Sequence, residues 1–163
     1  MPIAEDIARI AIQEIQLRFI SFDEATAWNI GSDLRSLAVA RELAVVIDVR
    51  RFGQPLFYTA LPGTTPDNVD WVRRKSNLTA RFLRSSYSIG LGLQQKGSNL
   101  LESHALSESD YAAHGGCFPI HLKQAGVIGS VTVSGLPQRA DHELVVEALC
   151  NQLGLDYDSM RLE

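Results

Sequence analysis

Two hairpin patterns constrain the fold more than anything else in this chain. Leu43–Val49 is apolar and β-branched almost throughout, Phe52-Gly53-Gln54-Pro55 supplies a turn, and Leu56–Leu61 returns. A strand with so few polar positions belongs inside a sheet covered on both faces. The second hairpin pairs Phe118–Lys123 with Val127–Ser134 around Gln124-Ala125-Gly126. Its return strand alternates Val131 and Val133 with Ser130, Thr132 and Ser134, which gives it one apolar face. Pro119 suits a strand start or an edge, and Gly129 marks a place where another backbone or a ligand comes close.

Helical spacing fills the remainder. Residues 2–18 carry a broad apolar side on Ile3, Ile7, Ile10, Ile15 and Leu17. Asp23 is placed to cap a helix that buries Ala27, Ile30, Leu34, Leu37 and Ala38, at some cost from Gly31. Thr65 and Pro66 open another, which runs to about Arg84 and can continue through Ser85–Gly90. Residues 97–110 read as a loop, with Ser107 and Asp110 as caps for a short turn around Tyr111. Asp141 opens the last helix, and Gly154 suits its C-terminal cap. Two hairpins with helices on both faces make an α+β fold, an α/β/α sandwich around an antiparallel sheet. The 163 residues suit a single domain over 1–163.

Charge and composition narrow the function. A formal net charge of −4 argues against a nucleic-acid binder, which carries a basic excess. No run approaches the length of a membrane span, and the N-terminus has acids where a signal peptide carries positive charge. Two cysteines, Cys117 and Cys150, then read as reduced, buried thiols of a cytoplasmic protein.

"HGGCFPIH", His114 to His121, holds the residue types of a metal or nucleophile site. Extended backbone puts Cys117 and His121 about 13 Å apart, too far to share one zinc ion. His114 and Cys117 could meet across Gly115-Gly116, but two ligands make a weak site and no cysteine-hydrolase pattern surrounds them. The glycines are read as letting the chain enter the sheet beside something bulky, a ligand being one choice. A second candidate is the helix over Asp70–Arg84. Trp71, Leu78 and Phe82 form one row, Val72, Thr79 and Leu83 the next, and Lys75 falls between them on the inward side. Such a lysine snorkels, or meets a carboxylate or an anionic ligand. Arg73, Arg74, Arg81 and Arg84 add a basic edge, either a solvated face or an anion-binding wall. No catalytic constellation emerges, so enzymatic activity is left open.

The stretch from Tyr111 to Leu136, followed by "ADHELVVEAL", resembles the C-terminal half of the haem-degrading domain family, which includes the glycolate-utilisation protein G type and the secreted haem-binding sensors. The resemblance rests on the paired glycines, Pro119-Ile120, Gly126-Val-Ile-Gly129, Val133-Ser134-Gly135 and Asp141. "FDEATAWNIG", "ALPGTTPDNVDWVRRKSNLTARFLRSSYSIG" and "HGGCFPI" look more like an uncharacterised branch of that family. It implies a profilin-like fold with a five-stranded antiparallel sheet, homo-oligomeric assembly, and in some members haem binding or breakdown. The fifth strand would fall at 17–22 or 87–93. Three functions follow as expectations. One is an oligomeric binding protein for a small anionic ligand, haem or a related tetrapyrrole among the choices, with Trp71, Arg74, Lys75, His114, Gly115 and Gly116 lining or supporting the site. Another is an interaction or scaffold protein without a small-molecule site. The third is a haem-degrading enzyme whose iron ligand is chosen from His104, His114, His121 and His142.

Overall fold

The computed structural model describes residues 2–163. Their elements run α1 (Ile3–Gln16), β1 (Arg18–Phe19), α2 (Glu24–Ala40), β2 (Val46–Arg51), β3 (Gln54–Ala60), α3 (Pro66–Phe82), α4 (Ser86–Gln95), α5 (Leu100–His104), β4 (Cys117–Leu122), β5 (Gly126–Ser134), α6 (Gln138–Leu153) and α7 (Tyr157–Met160). The five strands form one sheet in the order β1-β4-β5-β2-β3. Both hairpins form, and β2 joins them by pairing with β5. The fifth strand is β1, in the first of the two windows; residues 87–93 lie in α4. β1 runs parallel to β4, with Arg18 opposite His121 and Phe19 opposite Leu122, so one ladder departs from the antiparallel pattern. No helix is long and apolar enough to cross a membrane among the described residues.

The two faces of the sheet differ in chemistry. Ile47, Val49, Phe118, Ile120, Val131 and Val133 form the main core with Ala27, Ile30 and Leu34 of α2 and Leu144, Val145 and Leu149 of α6. Residues of opposite parity face α3. They are Asp48 and Arg50 on β2, Ser130, Thr132 and Ser134 on β5, and Cys117 on β4. Asp48 is fully buried and bound bidentately by Arg50 at 2.7 and 2.9 Å, which lets a charge sit within an apolar strand. Gly129 meets the backbone of Arg50, not a ligand: an added Cβ would lie 2.0 Å from its carbonyl oxygen.

Local boundaries differ from the sequence expectation where a polar side chain competes with the backbone. Asp23 and Thr65 cap α2 and α3 as read. α3 stops at Phe82, because Leu83 turns left-handed (φ 58°) and Ser85 caps a new helix by accepting from the Ser88 N–H. Asn99 caps the short α5 inside the stretch expected to be loop. The first hairpin turns on Phe52 and Gly53 alone (φ 49° and 80°), so Gln54 and Pro55 already belong to β3. α6 starts at Gln138, three residues before Asp141. Asp141 instead folds back and accepts from the Leu136 N–H at 2.9 Å and the Gly135 N–H at 3.4 Å, which fixes the turn between β5 and α6.

Gly31 has a packing reason. A Cβ there would lie 2.2 Å from the Phe57 ring, which α2 presses onto β3. Gly31→Ala gains about 1 kcal/mol of helix propensity but must displace a buried aromatic, a change that costs roughly 1–3 kcal/mol. We expect net destabilisation in urea unfolding; a higher midpoint would show that the glycine is not there for the ring.

The fully buried His142 ties three elements together. Its Nε2 lies 2.8 Å from Gln13 Oε1, and Gln13 Nε2 donates to the Met160 carbonyl at 2.8 Å. Burial, then the charge of Arg139, pushes its pKa down to about 3. The unfolded chain, with a histidine pKa near 6.5, therefore takes up this proton first. The neutral imidazole's contribution is complete above about pH 6.5 and falls as pH drops toward 3, by about 1.4 kcal/mol per unit. A His142→Gln variant should lose this slope, measured as unfolding free energy against pH between 6.5 and 4.5. An unchanged slope would assign it to other groups.

Candidate functional site

The polar face of the sheet opens at one end of α3. Two adjoining cavities of about 370 and 250 Å³ lie there, and both are lined by Trp71, His114 and Gln138. Trp71 comes from α3, His114 from the segment entering β4, and Gln138 from the first turn of α6. The rings of Trp71 and His114 meet edge to face at 5.2 Å, and His114 is exposed. The packing around its imidazole, then the charges of Lys75 and Arg74, lowers its pKa below the usual histidine range. His114 is therefore neutral near pH 7, with a lone pair available.

Arg74 and Lys75, the two cations among the expected site residues, are both engaged by the protein. Arg74 lies over the Trp71 ring, 4.1 Å from its centroid, with Nε on Asp70 at 3.0 Å and Nη1 on the Glu108 carbonyl at 3.1 Å. Its Nη2 has no partner within the chain among the described residues, and Arg74 lines the larger cavity. Lys75 is 3% exposed and donates to Asp141 Oδ2 at 3.1 Å and to the Val133 carbonyl at 3.3 Å. Of the fates foreseen for an inward lysine, the carboxylate is the one the fold uses. Burial raises the Asp141 carboxyl, and Lys75 with the two backbone amides counters that rise.

The paired glycines sit behind this wall and line neither cavity. A Cβ on Gly116 (φ 133°) would meet the Val133 oxygen at 2.3 Å and Lys75 Nζ at 2.7 Å. One on Gly115 would meet the Gln138 carbonyl oxygen at 2.2 Å. The bulky neighbour foreseen from the glycines is thus the protein's own ion pair and backbone. They support the site by letting β4 enter beside Lys75.

His114 and Cys117 do not form a pair. Cys117 is fully buried beneath α3, where burial raises its thiol above the usual cysteine range and the hydroxyls of Thr132, Thr79 and Ser130 work against that. Its N–H donates to Ser86 Oγ at 3.1 Å, away from the cavities. The other histidines are dispersed. His104 packs tilted against Phe82 with ring centroids 4.8 Å apart, His121 sits on β4 opposite Val127, and His142 is locked in the core. No cluster of three metal-ligating residues exists among the described residues. Of the four histidines, only His114 lines these two cavities. Sequence reasoning missed Gln138, Glu108, Tyr111 and Asn99, which complete the larger cavity. Their polar side chains lie in segments without a periodic pattern, and only the proximity of Asp141 to Gln138 could have pointed there.

The ion pair gives a test. Lys75→Met leaves the Asp141 carboxylate buried without its cation, which costs roughly 3–5 kcal/mol. Adding Asp141→Asn should recover part of this loss, read as a non-additive double-mutant cycle in urea unfolding. Additive losses would mean that the two groups do not stabilise one another.

Comparison with known proteins places the chain. Residues 22–150 match the family model described as haem degrading protein HbpS-like. A UPF0303 protein of Acidobacterium capsulatum is 62% identical over 162 residues, 99% of this chain and 98% of that protein. One from Paraburkholderia phytofirmans is 61% identical over the same spans. Among solved structures, the Ybr137w protein superposes with a TM-score of 0.83 at 26% identity, covering 89% of this chain and 86% of that one. HbpS follows with a TM-score of 0.64 at 16% identity (84% and 93% covered), and the PduOC:Heme complex with 0.67 at 14% (88% and 100% covered). The last two share the fold.

Proposed function

This chain belongs to the HbpS-like haem-degrading protein family, and we propose that it is a binding protein for haem or a related tetrapyrrole, held at the Trp71–His114 cleft. The observation that carries the reading is the exposed, neutral His114 imidazole lining both cavities, set edge to face with the Trp71 ring. A neutral imidazole is a common haem iron ligand, and Trp71 offers apolar ring surface beside it. The unpartnered Nη2 of Arg74 is the donor available to an anionic substituent of the ligand. Lys75, with Gly115 and Gly116, serves by holding the wall in place. Bound haem would supply iron coordination; His114 would orient it and Arg74 would fix its edge. The PduOC:Heme complex, which shares the fold, supports the ligand class. Homo-oligomeric assembly and a cytoplasmic setting belong to the same reading, the second supported by two free, buried cysteines.

Haem titration followed in the Soret region tests it. The unmodified protein should shift the band at one equivalent per chain, His114→Ala should alter or abolish the shift, and His121→Ala should leave it intact. Native mass spectrometry of the same samples reads subunit number and retained haem together. No shift with the unmodified protein, or an identical band in His114→Ala, overturns the assignment.

A further inference from the structure

The opposite end of the sheet carries a second feature that the haem reading does not use. β3 is the edge strand, and a cleft of about 520 Å³ runs between it and α2. Trp28, Ser32, Arg35 and Ser36 line one wall at the spacing of a single helix face, and Leu56–Thr59 line the other. Trp28 is 63% exposed and Tyr58 46% exposed, with Trp28 set edge-on to Phe57 at 5.4 Å.

The backbone of β3 is open to pairing. The Leu61 N–H donates to the Val45 carbonyl at 3.0 Å, and Thr59 lies opposite Ile47. Backbone groups alternate along an antiparallel strand, so those of Tyr58 and Ala60 point away from β2. Edge strands are commonly blunted by charge, yet Gln54–Ala60 contains no charged residue, and its proline stands at the second position. Arg35 is the cleft's one charged side chain and makes no salt bridge or side-chain hydrogen bond among the described residues.

We propose that this cleft takes an extended segment of a partner protein, added as a sixth strand against β3 and carrying a carboxylate to meet Arg35. An uncharged edge beside a helix is the geometry of recognition by strand addition, in which main-chain hydrogen bonds give affinity and alternate side chains give specificity. Trp28 and Tyr58 supply apolar contact on either side of the added strand. The unpaired arginine favours an acidic segment over a second copy's β3, which has no carboxylate to bring.

The probe is a set of blocked, fluorescein-labelled octapeptides alternating valine and threonine, with Asp, Asn or Lys at one central position, read by fluorescence anisotropy. The Asp peptide should bind at least about tenfold more tightly than the Lys peptide, a gap of about 1.4 kcal/mol. Arg35→Glu should reverse that order, which a merely structural arginine would not do. Ala60→Pro removes an outward N–H and should abolish binding while the thermal unfolding midpoint stays unchanged; should it not fold, Trp28→Ala serves as the second variant, with weaker binding expected. Equal affinity for the Asp and Lys peptides, no binding by any of them at millimolar concentration, or hydrogen-exchange protection of β3 that rises with protein concentration alone would each overturn the proposal. The last outcome would assign the edge to a second copy. None of these readouts depends on haem.

Discussion

The arrangement of this molecule turns on one buried ion pair. Lys75 and Asp141, each at most 3% exposed, meet at 3.1 Å beneath the segment that leads into β4. Neither charge is stable alone in such a place. Asp141 is held from a second direction by the Leu136 and Gly135 amides, and Lys75 from a third by the Val133 carbonyl. α3, β5 and the start of α6 are thereby fixed to one point. Gly116 is the consequence: with an ammonium and a carbonyl this close, no side chain fits at that position.

That economy of charge shapes the cleft in front of it. A lysine committed to an aspartate and an arginine committed to Asp70 leave little free positive charge for a ligand. What remains is directional: the Arg74 Nη2 donor, a neutral imidazole and an indole ring. Such a site selects by shape, apolar area and placed donors rather than by bulk electrostatic attraction. A large planar ligand with few anionic substituents suits it better than a small polyanion, and this is why the tetrapyrrole is favoured among the ligands that the sequence allowed.

Much of the scaffold was legible because it obeys short-range rules. Alternation in Val127–Ser134, the apolar run Leu43–Ile47, and the caps Asp23 and Thr65 each depend on neighbours a few residues away. Boundaries were lost where a hydroxyl or carboxylate redirected the backbone. Ser85 starts α4 although the helical pattern runs through it, and Asp141 looks like a helix cap but serves the turn before the helix. β1, two residues long, has no pattern to read. Trp71, Arg74, Lys75 and His114, named together from the sequence, line the two adjoining cavities. The walls contributed by Gln138, Glu108 and Asn99 were hidden because their positions follow from tertiary contacts between elements far apart in sequence.

The same logic separates two residue pairs that look alike on paper. His114-x-x-Cys117 reads as a reactive unit, but the first residue of β4 must turn its side chain to one face of the sheet. Cys117 takes the face under α3, among Thr79, Thr132 and Ser130, where burial keeps the thiol protonated and unreactive. His114 precedes the strand and stays on the outside, against Trp71. Two glycines stand between them, each pressed by backbone or by the ion pair, so the segment cannot relax to bring imidazole and thiol together. The constraint that admits β4 beside Lys75 is therefore the one that divides the motif, leaving a histidine free to face a ligand and a cysteine that belongs to the core.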